Sequence, residues 1–193
     1  MNDHKQIYDV GVIHGRFQVL HNDHIKYLLA GKRLCNYLVV GITNPDPSLT
    51  KASNANPHRS TLIANPLTYY ERYIMLQSAL LEQNLQYSEF SIVPFPINIP
   101  ELLKYYVPID AVFFLTIYDD WGRQKKRFFK SLGLNIHILW EVSLENKGIS
   151  SSDVRENMVK GKQWEHLVPK SVASLMKDWD ISNRLKKLSR ATS

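Results

Sequence analysis

Two histidines three residues apart, His21 and His24, follow a glycine-containing turn in the stretch GRFQVLHNDH, residues 15–24. At that spacing on a helix two side chains share a face. If a helix starts here, its first turn also presents unpaired N–H groups and the positive end of the helix dipole. Two imidazoles in that place can hydrogen-bond phosphate oxygens, and more strongly as charge grows in a transition state. The spacing alone also fits a surface pair or half of a metal site. The zinc-protease pattern H-E-x-x-H is absent, because Asn22 and Asp23 fill the middle positions. Gly15 ends a buried strand where a phosphate can approach the backbone. A second cluster, GISSSDVR at residues 148–155, has Asp153 three after Ser150, which is capping-box spacing. Its plain reading is a well-capped helix. Its chemical reading is a second phosphate cradle, with hydroxyls from Ser150, Ser151 and Ser152 and with Arg155 one turn in.

These clusters need elements to hold them. Short apolar runs rich in β-branched residues predict strands at 8–13, 37–43, 90–95, 111–118 and 134–140. Between them, helical spacing predicts helices at 24–33, 67–83, 100–106 and 119–131, then 152–160 and 170–177. Pro66 reads as the start signal of the 67–83 helix, and Gly161 as a helix C-cap. Strand and helix alternate along the whole chain, which predicts an α/β fold: a doubly wound, five-stranded parallel sheet with helices on both faces. Ligands on such sheets bind beyond the carboxyl ends of the strands, where strand order reverses. Neither G-x-G-x-x-G nor a Walker A loop follows the first strand, so nucleotide binding needs another device.

The 193 residues suit one domain, 1–193. A composition of 44% hydrophobic and 22% charged residues excludes the disordered and disulfide-scaffold classes. The single cysteine, Cys35, allows no disulfide within the chain. No apolar run approaches the roughly 20 residues of a membrane span, and the first ten residues lack a signal-peptide core. The chain reads as soluble and cytoplasmic. The excess of 24 Lys and Arg over 18 Asp and Glu suits an anionic partner or a solubilising surface. Nucleic acid fits poorly, since RNA-type aromatic motifs are missing. Residues 164–193 read as a C-terminal helical segment whose basic end, with Arg184, Lys186, Lys187 and Arg190, is a frayed or solvated helix end. The polar stretch 44–65 carries Pro45, Pro47 and Pro57 and reads as a lid or an excursion, with Lys51, His58 and Arg59 inside it.

Taken in order, GRFQ, H-x-x-H and I-S-S-S-x-x-R resemble the nucleotidyltransferase α/β phosphodiesterase superfamily, with its HxGH and ISSTxxR signatures and Rossmann-like fold. Asn65-Pro66-Leu67-Thr68 followed by Glu71-Arg72 is most similar to archaeal-type nicotinamide mononucleotide adenylyltransferases. The resemblance implies direct attack of an acceptor phosphate on the α-phosphate of a nucleoside triphosphate, with Mg²⁺ and loss of pyrophosphate. By resemblance, His21, His24 and Arg155 are the catalytic residues, with His24 the main transition-state donor. Gly15, Arg16, Phe17, Gln18 and the three serines are then nucleotide-binding, and Glu71 and Arg72 pin a helix through a buried ion pair. The main expectation is ATP plus nicotinamide or nicotinate mononucleotide, in NAD biosynthesis, with a homo-oligomer compatible with that group. There are departures. Asp23 replaces the family glycine, where it should repel a triphosphate unless it faces away or helps hold Mg²⁺. Val19 stands where a proline usually follows GRFQ, and Ser152 replaces a threonine. No tryptophan follows the third strand to stack on a pyridine ring; Tyr105 and Tyr106 are the substitutes, with at least one expected in the core. Tyr118-Asp119-Asp120-Trp121 resembles the aspartate-aspartate-tryptophan segment of some cytidylyltransferases of the same superfamily. Lys51, Arg59, Tyr105, Tyr106, Asp119 and Trp121 are therefore the acceptor-side candidates. The alternatives are a cytidylyltransferase acting on a phosphorylated alcohol or sugar, or a degenerate nucleotide-binding homologue.

Overall fold

In the computed structural model, which describes residues 7–49, 61–143, 145 and 148–191, five strands form one sheet: β1 (Tyr8–Gly15), β2 (Cys35–Thr43), β3 (Phe90–Phe95), β4 (Val112–Ile117) and β5 (Asn135–Glu141). All pairings are parallel and the order is β3-β2-β1-β4-β5. The chain walks outward from β1 to β3, then returns to lay β4 beside β1. The reversal at β1 and β4 opens a crevice at their carboxyl ends. Leu115 pairs with Ile138 but Thr116 with Trp140, so Leu139 is an extra residue and β5 bulges beside the carboxyl end of β4.

β1 is buried on both faces, as a central parallel strand must be. One face carries Ile13 against α1 (Asn22–Lys32), α2 (Tyr69–Glu82) and the C-terminal helices, in a core with Leu28, Leu76, Val154, Met176 and Ile181. The other carries Val12 and His14 against α3 (Asp120–Ser131) and the turn Pro100–Tyr105, in a core of Phe95, Leu103, Phe113 and Phe129.

Three expectations change. α2 starts at Tyr69 rather than beside Pro66. The Thr68 hydroxyl accepts from the Glu71 N–H at 3.1 Å while the Glu71 carboxylate accepts from the Thr68 N–H at 2.8 Å, and this capping box fixes the start. The basic C-terminal stretch is no frayed end. Beyond α5 (Lys170–Asp178) it forms α6 (Ile181–Ala191), whose Ile181 and Leu185, four apart, are fully buried. Neither Tyr105, which ends the Pro100–Tyr105 turn, nor Tyr106 just after it lies in the core, since they are 71% and 42% exposed; Leu103 takes the buried place instead.

Candidate active site

His21 is the N-cap of α1, so His24 sits in its first turn. The two rings stack with centroids 3.7 Å apart. His24 Nδ1 accepts from the His21 N–H at 3.4 Å, which leaves Nε2 to carry the ring proton. Phe17 meets the His24 ring edge-on at 5.1 Å and is itself buried. Its backbone lies in the left-handed region at φ 51°, and a side chain on Gly15 would meet its ring at 2.8 Å. Glycine at position 15 is thus what lets the turn fold back on itself.

That turn is held from several sides. The Gln18 side chain bridges the Leu67 N–H and carbonyl, each at 2.9 Å. Arg72 donates to the carbonyls of Arg16 (3.0 Å), Thr43 (2.8 Å) and Asn44 (2.8 Å). Burial pushes its guanidinium down to about 10. The expected Glu71–Arg72 pair does not form. Arg72 serves carbonyls, and Glu71 pairs with Arg184 at 2.7 Å.

α4 (Ser151–Val159) reaches the same turn from the other end of the chain. Ser150 caps it, closing a box with Asp153. Ser151 donates to the Val19 carbonyl at 2.9 Å. The buried Arg155 donates to the Gln18 carbonyl and to the Ser152 hydroxyl. Burial lowers its pKa, with Glu156 and Asp153 opposing. The first turns of α1 and α4 thus meet over residues 15–19, each with orphan N–H groups.

Asp23 does not face a phosphate unpaired. Its Oδ2 accepts from the Ile149 N–H at 2.7 Å and its Oδ1 from Lys26 at 2.6 Å. Burial would raise its pKa, but the Lys26 and Ile149 bonds outweigh this and hold the carboxyl below its ordinary range. With both oxygens engaged, Asp23 does not fit as a direct Mg²⁺ ligand. Among the described residues no group of three or more His, Cys, Asp or Glu is placed to hold a metal. An Mg²⁺ accompanying the triphosphate would rest chiefly on phosphate oxygens, its usual habit.

Beside the histidines a cleft of about 180 Å³ opens between β1 and β4. It gathers the predicted residues Gly15, Asp23, His24, Asp119 and Trp121. Asp119 caps α3, accepting from the Gly122 N–H at 2.8 Å. Trp121 is 42% exposed, with the Lys125 ammonium 4.8 Å from its ring centre. Tyr105 and Tyr106 lie outside this lining, while Lys51 and Arg59 fall outside the described residues. Sequence reasoning missed His14, Tyr27, Thr116 and Lys125, which also line it. The one available signal was a histidine inside the apolar run YDVGVIHG.

His24 faces the cleft while His21, 5% exposed, stacks behind it and lies outside the lining, as do the α4 serines and Arg155; a helix N-terminus beside an imidazole suits a phosphate. The chain belongs to the cytidylyltransferase-like family, whose model matches residues 12–157. It is an enzyme of the nucleotidyltransferase superfamily. Among relatives, the phosphonoformate cytidylyltransferase of Streptomyces viridochromogenes is 46% identical over 182 residues, covering 94% of this chain and 98% of that one. The nicotinamide-nucleotide adenylyltransferase of Thermococcus onnurineus is 30% identical over 179 residues, covering 92% and 87%. Among solved structures, a bifunctional NMN adenylyltransferase/ADP ribose pyrophosphatase from Francisella tularensis matches with a TM-score of 0.63 at 15% identity, over 91% of this chain. This chain spans 52% of that one, and the likeness is one of fold.

Proposed function

We propose that the chain transfers a cytidylyl group from CTP to a small acceptor bearing a phosphonate or phosphate, of the phosphonoformate kind. The observation that carries this reading is 46% identity to a phosphonoformate cytidylyltransferase across nearly the full length of both chains, against 30% to an adenylyltransferase. Trp121 and Asp119 at the cleft support it, and so does the position of Tyr105 and Tyr106 away from the cleft, where they are poorly placed to stack on a pyridine ring. The nicotinamide reading therefore gives way to the cytidylyl alternative.

In the proposed reaction an acceptor oxygen attacks the α-phosphorus in line. One P–O bond forms, the bond to the bridging oxygen of the β-phosphate breaks, and pyrophosphate leaves with that electron pair. No covalent enzyme intermediate is needed. His24, proton on Nε2, donates to the α-phosphoryl oxygens, and the first turns of α1 and α4 bind the rest of the triphosphate. Arg155 and Ser151 hold the Gln18–Val19 carbonyls, which keeps those N-termini in register.

Pyrophosphate release with Mg²⁺ tests the reading, crossing CTP and ATP with phosphonoformate and nicotinamide mononucleotide. Release from CTP plus phosphonoformate is expected. Release only from ATP plus nicotinamide mononucleotide, or from no pair, overturns it.

A further inference from the structure

His14 is the penultimate residue of β1, 6% exposed, and lines the cleft. Among the described residues neither of its ring nitrogens has a hydrogen-bond partner. Phe95 stacks on the ring at 4.7 Å and Phe129 tilts against it at 5.0 Å, so the imidazole is clamped between aromatic faces. Native structures rarely leave a buried polar group unmade, and the free energy it costs calls for a partner. The residue lines the cleft that also contains His24, while both ring nitrogens are sealed from solvent.

We propose that His14 and Lys125 form an anion-reading floor of this cleft, which takes the carboxylate end of the acceptor while the phosphonate end faces His24. This rests on the cytidylyltransferase reading above and names how that site selects its acceptor. Both residues line the cleft with His24, so an acceptor seated there is bounded by all three, and reaching the His14 nitrogens takes a small shift of the side chains that cover them. Burial first, and the Lys125 charge second, keep the imidazole neutral, so it offers one N–H without adding a charge. The Lys125 ammonium supplies the cation, and the N-terminus of α3 at Gly122 adds its dipole. A carboxylate with two oxygens can take one bond from each donor. The cleft's own carboxylates are committed: Asp23 to Lys26 and Ile149, Asp119 to Gly122. At about 180 Å³ the cleft suits a compact acceptor; pockets for drug-sized ligands run from about 300 to 1,000 Å³.

The test is steady-state pyrophosphate release by wild type, His14→Phe, His14→Asn and Lys125→Met, with CTP and either phosphonoformate or methylphosphonate, which lacks the carboxylate. Phenylalanine keeps the stack and removes the polar edge. His14→Phe and Lys125→Met are expected to raise the KM for phosphonoformate about 10- to 100-fold. The KM for CTP and the response to methylphosphonate should stay unchanged, and His14→Asn should recover part of the loss. An unchanged phosphonoformate KM overturns the proposal. So does a rise in the CTP KM, which would make the floor a nucleotide contact, or an equal loss with methylphosphonate. If His14→Phe fails to fold, Lys125→Met decides alone. If wild type releases no pyrophosphate from CTP and phosphonoformate, the proposed function fails, and the subsite is read separately by ¹⁵N NMR of the His14 ring on adding phosphonoformate alone. A shift of the ring nitrogens, absent with methylphosphonate, supports the floor; no shift, or the same shift with methylphosphonate, overturns it.

Discussion

Asp23 stands where the resembling signature has a glycine, and its geometry explains how a negative charge is tolerated beside the proposed phosphate site. The carboxylate ties the first turn of α1 to the Ile149 N–H, at the entry to α4. Gly148, the residue before, lies in the left-handed region at φ 69°, and a β-carbon there would run into the Asp23 carboxylate. The two positions are therefore coupled. Asp23→Ala should destabilise the protein by about 1–2 kcal/mol through the lost charge-assisted bond. Gly148→Ala should cost about 1–2 kcal/mol from the left-handed backbone alone, with the clash added. In the double variant the clash disappears, so its loss should fall short of the sum of the singles by at least about 0.5 kcal/mol. Urea denaturation of the four proteins measures this, and strict additivity would show the contact to be idle. Residues of this kind divide by legibility. His21, His24 and the serines were readable because their spacing is local. His14, Thr116 and Lys125 were not, because only the pairing of β1 with β4 brings them together.

At the scale of elements, the strands were legible because buried parallel strands are short apolar runs that little else imitates. The C-terminal segment was legible as helical, but its anchoring was not, since its charges mask two apolar positions four residues apart. Its anchoring is now specific. Arg184 pairs with Glu71 at 2.7 Å and donates to the Pro66 carbonyl at 3.2 Å, joining α6 to the capping box of α2. Burial would raise the Glu71 pKa, but hydrogen bonds from Arg184 and Thr68 outweigh it and hold the carboxyl below its ordinary value. A depressed carboxyl contributes stability above its unfolded pKa and loses it as pH falls through the folded one. The partly exposed pair should be worth about 1 kcal/mol. Arg184→Met should therefore destabilise by about that amount at pH 7. The gap from wild type should close as pH drops below about 4, the ordinary glutamate range. A gap independent of pH would mean that Arg184 acts only by packing and through the Pro66 carbonyl.

The whole molecule brings the two turns proposed to hold the triphosphate from opposite ends of the chain. α1 follows β1 near the start, and α4 follows β5, after more than a hundred intervening residues. Contacts from Ser151 and Arg155 to the 18–19 backbone join them across the reversal of strand order. A triphosphate that spans both N-termini can bind only when this long-range geometry exists, so its affinity adds to the stability of the folded chain alone. The formal charge of +6 favours the encounter, and salt should weaken it. With Mg²⁺ and CTP at about 100 times its Kd, linkage adds about 2.7 kcal/mol. At roughly 2–4 °C per kcal/mol for a chain of this size, Tm should rise by about 5–10 °C. ATP at the same concentration should give a smaller rise if binding itself selects cytosine. Equal shifts would place base selection in the chemical step rather than in binding. If neither nucleotide moved Tm, the two helix N-termini would not be the triphosphate cradle, and the function of their junction would have to be sought in holding the fold alone.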